Sequence, residues 1–294
     1  MKTRTTSSLS DTTPKDRAKA SAEVEFKKKV DRYSHTLYWA FSEELKTEII
    51  IKAFPEKGKR LNSLFLREAR FHKLRHPNLQ AILDVIPASK SGKIPYEREQ
   101  SVIIAKKPEF GDFYSLILSK KLPRDELIVR TFFHQLIAGI EYIHSKGVAH
   151  MDIRLENLFL DTNFTLKLGN FMLSQGEDDE SVVESGRSND QRSETKHRKI
   201  EKLAPIDIYG AGMVLFIMYT HYFPYMLHGV SENFLEEYCK SNNICQDFVD
   251  LFRGMIDPSP PKRLTLDEIK RSKWYQKPVY CSEELSSLLT KLKL

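Results

Sequence analysis

Two polar side chains near the middle of the chain have the types and the spacing that phosphoryl transfer requires. Asp152 and Asn157 lie five residues apart in a stretch without helical periodicity, which favours a loop. A loop of this kind can direct a general base and a metal ligand towards one point. The apolar residues Leu158–Leu160 follow, then Leu166 and Leu168 on either side of a lysine, and Asn170 stands two residues later on a second predicted loop.

The run from His150 to Asn157 reads His-Met-Asp-Ile-Arg-Leu-Glu-Asn, and it resembles the catalytic loop of eukaryotic protein kinases, H-R-D-L-x-x-x-N. The resemblance implies that Asp152 is the catalytic base and that Arg154 replaces the usual catalytic-loop lysine. Arginine keeps the positive charge but is longer and bulkier, so the exchange is not neutral. Met151 replaces the arginine that normally receives an activation-loop phosphate, so this route to ordering the loop is lost.

Asn170-Phe171-Met172 stands where the family has Asp-Phe-Gly. Mg²⁺ prefers anionic oxygens, and an amide oxygen offers no charge. Losing one preorganised electrostatic group costs roughly 3 to 4 kcal/mol of transition-state stabilisation, about 10²- to 10³-fold in rate. Met172 also adds bulk where glycine gives freedom. We therefore expect Asn157 and Asn170 to form a metal site that binds Mg²⁺ weakly or not at all.

A lysine within an apolar strand is the second feature that needs a chemical reason. Residues 48–54 read Glu-Ile-Ile-Ile-Lys-Ala-Phe, which is typical of a buried strand. The run resembles the V-A-I-K strand of the family, which implies that Lys52 contacts ATP phosphates. A helix predicted over Leu61–Leu74 would carry Glu68 as its ion-pair partner; a solvated Glu68 is the alternative.

Residues 101–105 predict another buried strand, and residues 106–112 resemble the family's hinge. The match puts Ala105 at the gatekeeper position and Lys107 in the hinge. A small gatekeeper enlarges the pocket unless a neighbouring aromatic side chain fills it.

The glycine-rich loop that covers phosphates in the family has no counterpart, because Val30, Arg32 and His35 stand at its glycine positions. Side chains there keep backbone amides away from phosphates. Arg32 and His35 either contact phosphate by charge or are solvated hairpin residues.

The remaining elements resemble the rest of a kinase domain in order. A strong amphipathic helix is predicted over Asp125–Lys146, and its sequence is close to the Ser/Thr kinases of the calcium/calmodulin- and AMP-regulated group. A buried helix is predicted over Asp207–Tyr219, and Phe248–Trp274 resembles the closing helices. The polar segment 176–200 predicts a surface loop without an A-P-E motif. In it, Glu194 is either exposed or paired with Arg263.

We therefore predict an α+β, bilobal protein-kinase-like fold with a small β-rich N-lobe and a larger helical C-lobe. The predicted domain covers residues 23–277, divided into an N-lobe (23–105), a hinge (106–112) and a C-lobe (113–277). Residues 1–22 are predicted to be a disordered basic tail, and residues 278–294 a C-terminal extension. Implied site residues are Asp152 and Arg154 for catalysis, Lys52, Glu68, Ala105, Lys107, Asn157 and Asn170 for nucleotide binding, and Asn157 and Asn170 for metal.

Composition narrows the functional class further. The net charge is +6, and nine basic against five acidic residues in positions 1–32 account for +4 of it, so the body is nearly neutral. This balance argues against nucleic-acid binding, and the tail has no aromatic residue for base stacking before Phe26. Three cysteines without metal-ligand spacing indicate reduced thiols. The longest apolar run is too short to span a membrane. We expect an intracellular protein, in the cytoplasm, without a membrane partner.

The combined losses predict a pseudokinase, a domain that keeps the shape and loses metal-dependent transfer. Its work would be binding, as a scaffold or allosteric partner of another protein such as an active kinase or a larger assembly, with ATP as a ligand that is not turned over. The alternative is a weakly active Ser/Thr kinase that uses Lys52, Asp152 and Asn157 with one metal ion. The retained Lys52, Glu68, Asp152 and Asn157 favour that alternative.

Overall fold

The computed structural model describes residues 24–56, 62–88, 100–176, 189–223 and 232–294, with 189–199 and 232–235 described by their backbone alone. The chain forms two units, residues 1–73 with 81–107, and residues 74–80 with 108–294. The division after Lys107 falls inside the predicted connection 106–112. The α+β class, with a β-rich N-lobe and a helical C-lobe, is confirmed. The predicted tail and residues 177–188 of the polar segment lie outside the described residues.

The N-terminal unit is built on five antiparallel strands. These are β1 (Val24–Asp31), β2 (Thr36–Ser42), β3 (Thr47–Pro55), β4 (Ile82–Ile86) and β5 (Gln100–Lys106), in the order β1-β2-β3-β5-β4. Alternation along β3 places Ile49, Ile51 and Ala53 in the core, so Lys52 and Phe54 lie on the other face. The register pairs Lys52 with Leu37 on β2 and Ile103 on β5.

Helix α1 (Ser63–Arg70) is shorter than the predicted helix over Leu61–Leu74. The Asn62 side chain accepts the N–H groups of Leu64 and Phe65, which fixes the start of the helix. The N–H of the C-cap residue Phe71 donates to Glu68 O and Ala69 O, and a turn follows. The spacing of apolar residues alone predicted the ends of this helix wrongly, because that spacing does not show where capping residues start and end a helix.

The C-terminal unit is mostly helical. Its helices are α2 (Phe113–Leu118), α3 (Glu126–Ser145), α4 (Asn189–Thr220), α5 (Glu232–Ser241), α6 (Gln246–Met255), α7 (Leu266–Arg271) and α8 (Ser282–Lys291). Two short antiparallel pairs accompany them, β6 (Val148–Ala149) with β9 (Gln175–Gly176) and β7 (Leu158–Leu160) with β8 (Leu166–Leu168). The prediction for α3 is confirmed, with Asp125 and Lys146 as its caps.

Helix α4 begins much earlier than the predicted buried helix over Asp207–Tyr219, and it takes in the second half of the polar segment. The prediction of a loop up to residue 200 is therefore wrong from Asn189 onwards. Its stretch Ile200–Thr220 is long and apolar enough to cross a membrane, but 56% of that window is buried inside the protein, as in a core helix.

The C-terminal extension 278–294 packs onto the rest of its unit. Arg130 donates to the carbonyl of Pro278 at 2.9 Å, and the N–H of Tyr280 donates to Thr131 Oγ1 at 3.0 Å. In α8, Leu285 and Leu289 are fully buried. These contacts make residues 278–294 a structural part of the C-terminal unit.

Candidate active site

The loop that carries Asp152 rests on a buried carboxylate of α4. Asp207 accepts the backbone N–H groups of His150 at 2.8 Å and Met151 at 2.7 Å, and it also binds His144 Nε2 at 2.8 Å. Met151 has a φ of +67°, and these bonds support that left-handed backbone. Sequence reasoning identified Asp207 only as the first residue of a predicted buried helix. A carboxylate at the start of an apolar helix was the signal for this role.

Close packing of the same loop on α4 depends on a glycine. A Cβ at Gly210 would lie 2.7 Å from the carbonyl oxygen of Ile153. Only a residue without a side chain lets the two backbones approach this closely. Helix α4 therefore fixes the distance between the loop and the helix, and it also binds two N–H groups of the loop.

His150 links the two loops of the site. Its buried imidazole donates through Nε2 to the carbonyl of Gly169 at 2.9 Å and accepts the N–H of Asp152 through Nδ1 at 3.3 Å. The N–H of Gly169 in turn donates to the carbonyl of Asn157 at 3.0 Å. His150 thus supports the backbone beneath Asp152 and Asn170.

Three of the predicted site residues form a chain of hydrogen bonds. Asn157 Nδ2 donates to Asp152 Oδ2 at 2.8 Å and to the Asp152 carbonyl at 2.7 Å, and Asn170 Nδ2 donates to Asn157 Oδ1 at 2.8 Å. Asn170 has φ 66° and ψ 67°, a left-handed conformation that asparagine tolerates better than most residues. The oxygen of Asn157 expected to bind metal is therefore engaged by an amide of the protein.

The donor set of this chain does not fit Mg²⁺. Asp152 supplies its single negative charge, and the other two side chains are neutral amides, whereas Mg²⁺ favours anionic oxygens in strict octahedral geometry. The Nδ2 group of Asn170 also points a donor, not an acceptor, at Asn157. Across the described ranges, no cluster of three or more His, Cys, Asp or Glu residues could hold a metal ion.

Arg154, the predicted partner of Asp152 in catalysis, forms a bidentate pair with Glu156. Its Nε donates to Oε2 at 2.9 Å and its Nη2 to Oε1 at 2.5 Å. The hydrogen bonds from Arg154 hold the pKa of Glu156 below its usual value. The Arg154 side chain is 52% exposed, so the pair is worth at most about 1 kcal/mol. Sequence reasoning did not identify Glu156, although opposite charges two residues apart in a loop were a usable signal.

In the N-terminal unit, Lys52 Nζ lies 2.6 Å from Glu68 Oε1. Glu68 is only 3% exposed, so the alternative of a solvated glutamate is wrong. Its second oxygen, Oε2, is buried without a hydrogen-bond partner among the residues that the structure describes. The predicted pair is thus formed, and it ties α1 to β3.

His35 behaves differently from both sequence expectations. It is 9% exposed and stacks on Phe54 with ring centroids 5.4 Å apart, so it is not a solvated hairpin residue. Burial, and then the positive charges of Lys52 and Arg32, lower the pKa of His35 to about 4. The imidazole is therefore neutral at pH 7 and offers no charge to a phosphate. No sequence signal marked this histidine as buried.

Ala105 and Lys107 lie at the end of β5 and just after it. Ala105 is 6% exposed, and its cross-strand partners are Ile50 and Ile82. Its neighbours across the sheet are therefore aliphatic, and its role as gatekeeper stays a prediction. Lys107 Nζ binds Glu48 Oε2 at 2.6 Å, and its N–H donates to the Glu48 carbonyl at 3.0 Å.

Arg263 donates to the carbonyls of Asp257 at 2.9 Å and Pro205 at 2.8 Å, and its guanidinium lies 4.8 Å from the centre of the Tyr209 ring. The side chain of Glu194 lies outside the described residues, so its pairing with Arg263 stays a prediction. Arg263 nevertheless fastens α4 to the segment that precedes α7.

Comparison with known proteins agrees with this arrangement. The model of the protein kinase domain matches residues 34–275. CBL-interacting protein kinase 26 of Oryza sativa subsp. japonica is 31% identical over 227 residues, which cover 74% of this chain and 43% of the relative. The SNF1-like protein kinase ssp2 of Schizosaccharomyces pombe is 29% identical over 222 residues, 71% of this chain and 36% of the relative. The chain thus spans less than half the length of these two relatives. It belongs to the protein kinase domain family.

Proposed function

We propose that this domain is a pseudokinase that acts by binding another protein, as a scaffold or as an allosteric partner. The observation that carries the proposal is the hydrogen bond from Asn170 Nδ2 to Asn157 Oδ1, 2.8 Å long. An aspartate at position 170 would place two acceptors against each other, and a cation would be needed between them. The amide removes that need, because donor and acceptor satisfy one another.

The consequence for chemistry is large because phosphoryl transfer depends on positioning and charge neutralisation. Asp152 is held by Asn157, and Arg154 is held by Glu156, so both groups have protein partners in the resting chain. Without a metal ion to neutralise the charge that develops during transfer, Asp152 alone would accelerate the reaction little. These contacts support a role in binding without turnover.

The class of partner follows from the kinase fold and the net charge of the chain. A folded kinase body whose net charge is nearly neutral suits a protein partner, such as an active kinase or a larger assembly, better than nucleic acid. Three free cysteines, at 239, 245 and 281, suit a reducing intracellular compartment such as the cytoplasm.

The alternative, a weakly active Ser/Thr kinase, draws its support from the Lys52–Glu68 pair of 2.6 Å. That pair positions ATP phosphates in active members of the family. A pure scaffold does not need it for chemistry, although it still stabilises α1.

The test compares phosphotransfer to a mixed Ser/Thr peptide library by the full chain, Asp152→Ala and Asn170→Asp, with Mg²⁺ and with EDTA. We expect the unmodified chain to match Asp152→Ala under both conditions. A rate more than about 10-fold above Asp152→Ala that EDTA abolishes would refute the pseudokinase proposal. Appreciable transfer by Asn170→Asp would identify a disabled enzyme in which the aspartate is the missing part.

A thermal-shift titration serves as the control for metal binding. Mg²⁺ should leave the melting temperature of the unmodified chain unchanged, because the amide chain needs no cation. Asn170→Asp should be less stable in EDTA, since two carboxylates and an amide oxygen then converge, and Mg²⁺ should restore part of that loss.

A further inference from the structure

One face of the N-terminal sheet carries both Lys52 and the buried His35. Residues 52 and 54 of β3 point to the same face because side chains alternate along a strand. Register pairs Leu37 with Lys52 and Thr36 with Ala53, so His35 continues the series opposite Phe54. The stack of His35 on Phe54 agrees with that position.

This face continues into α1. Phe54 packs against Phe65 with centroids 5.9 Å apart, and Glu68 of the same helix binds Lys52. The imidazole of His35 is thus the last member of an aromatic layer that runs beside the Lys52–Glu68 pair.

Local hydrogen bonds fix the conformation of the hairpin tip that carries His35. The N–H of Arg32 donates to the His35 carbonyl at 2.9 Å, Thr36 Oγ1 donates to Asp31 Oδ1 at 2.9 Å, and Ser34 Oγ lies 2.9 Å from His35 Nδ1. Tyr33 at the tip projects fully into solvent. The hairpin therefore presents the imidazole ring of His35, and not backbone amides, to the face of the sheet that carries Lys52.

A polyphosphate binds well where several N–H groups or cations converge on it. Here an imidazole on the same face of the sheet as Lys52 supplies no charge, because the pKa of His35 is about 4. Entry of a phosphate would require the ring to leave its stack and expose Phe54, which costs apolar burial.

We propose that the imidazole of His35 occupies the space beside Lys52 where a phosphate would bind, and that it thereby keeps polyphosphate chains away from Lys52. This inference refines the proposed function, since it rests on a nucleotide site that is not used for turnover. The chain would accept a phosphate-free ligand, such as a nucleoside, in preference to its triphosphate. His35 is then a specificity-determining residue.

The experiment is calorimetry on the full chain in EDTA, with tripolyphosphate, ATP and adenosine as probes. We expect no saturable binding of tripolyphosphate by the unmodified chain. His35→Ala should bind tripolyphosphate and ATP at least 10-fold more tightly, with the affinity for adenosine changed by less than 2-fold. Adding Lys52→Ala to His35→Ala should remove the gain.

Two controls separate the bulk of the ring from other effects. His35→Leu keeps most of the volume and should remain closed, and Tyr33→Ala changes an exposed residue of the same hairpin and should bind as the unmodified chain does. If His35→Ala melts early, His35→Gly, which suits a hairpin loop, replaces it.

An intact His35→Ala that gains no affinity would overturn the inference, as would an equal gain by His35→Leu. So would tight, Lys52-dependent binding of tripolyphosphate by the unmodified chain. These measurements contain no metal and no acceptor hydroxyl. Phosphotransfer from ATP by the unmodified chain would contradict both proposals, because a triphosphate must then reach Lys52, whereas tight tripolyphosphate binding without transfer would overturn this inference alone.

Discussion

At position 170, exchanging one carboxylate oxygen for an NH₂ group reverses the polarity of a contact. Asn170 donates to Asn157 where an aspartate could only accept. The change leaves the backbone in the left-handed conformation and adds no bulk. Under the proposed function, a metal site can therefore be lost without refolding, and the surrounding loop keeps its hydrogen bonds to Asp207.

A pH dependence of stability is expected from His35. Its pKa is lowered from 6.5 to about 4 by burial and by Lys52 and Arg32. Between these values the unfolded chain binds a proton that the folded chain does not, so the free energy of unfolding should fall as the pH drops from 6.5 towards 4. The loss attributable to His35 should be about 1 to 3 kcal/mol, and it should level off below pH 4.

Urea denaturation at several pH values, for the unmodified chain and for His35→Leu, measures this effect. His76, His134 and His221 also have lowered pKa values because of burial, so both proteins should lose stability in acid. The difference between the two profiles isolates His35. Parallel profiles from pH 7 to pH 4 would contradict the prediction.

At the scale of elements, the Lys52–Glu68 pair fastens helix α1 to strand β3. Lys52→Met should leave the carboxylate of Glu68 buried and unpaired, at a cost of about 3 to 5 kcal/mol in the free energy of unfolding. The double variant Lys52→Met/Glu68→Leu should recover most of that loss, since it removes the uncompensated charge.

The matched control is Lys270→Met, which breaks a pair of similar length, 2.7 Å to Glu141, between side chains that are 39% and 48% exposed. It should change stability by less than about 1 kcal/mol. Guanidinium denaturation reports all three variants. Equal losses for Lys52→Met and the double variant would mean that the pair, and not the orphaned charge, determines stability.

Elements that combine caps with a continuous apolar stripe could be predicted from the sequence. Helix α3, with its caps, and strands β3 and β5, with their apolar runs, were predicted in this way. The sequence also predicted the pair of Lys52 and Glu68. Helix α4 was predicted too short because a polar composition was equated with a loop. Extending an existing helix costs far less than starting one, so polar residues ahead of a buried helix can join it.

The orientation of side chains in the site could not be predicted in the same way. The hydrogen bond from Asn170 to Asn157 depends on the orientation of two side-chain amides. The burial of His35 depends on the strand register, which places it opposite Phe54. Both are set by tertiary packing, which spacing along the sequence does not encode.

At the scale of the whole chain, the folded body continues beyond the region that matches the kinase family, which ends at residue 275. Helix α8 buries Leu285 and Leu289. Leu289→Ala should therefore lower the free energy of unfolding of the C-terminal unit by about 2 to 5 kcal/mol. Chemical denaturation followed by tryptophan fluorescence measures it, because Trp274 is buried in that unit.

Leu292→Ala, at the C-cap of the same helix, is the control, since its side chain is 51% exposed and should change the free energy of unfolding by no more than about 0.5 kcal/mol. Equal effects of the two substitutions would show that α8 is not packed as described. A protein cut after residue 277 should also melt earlier than the full chain, because it loses both leucines and the bonds to Arg130 and Thr131.

Under the proposed function, the hydrogen-bonded chain of Asp152, Asn157 and Asn170 has a consequence for how long a complex lasts in the cell. A domain whose shape depends on a metal-bound nucleotide responds to each exchange of that nucleotide and so to energy status. A site that satisfies its own donors and acceptors receives no such input. A complex formed through this domain would persist for as long as both proteins are present, and its lifetime would follow their synthesis and degradation.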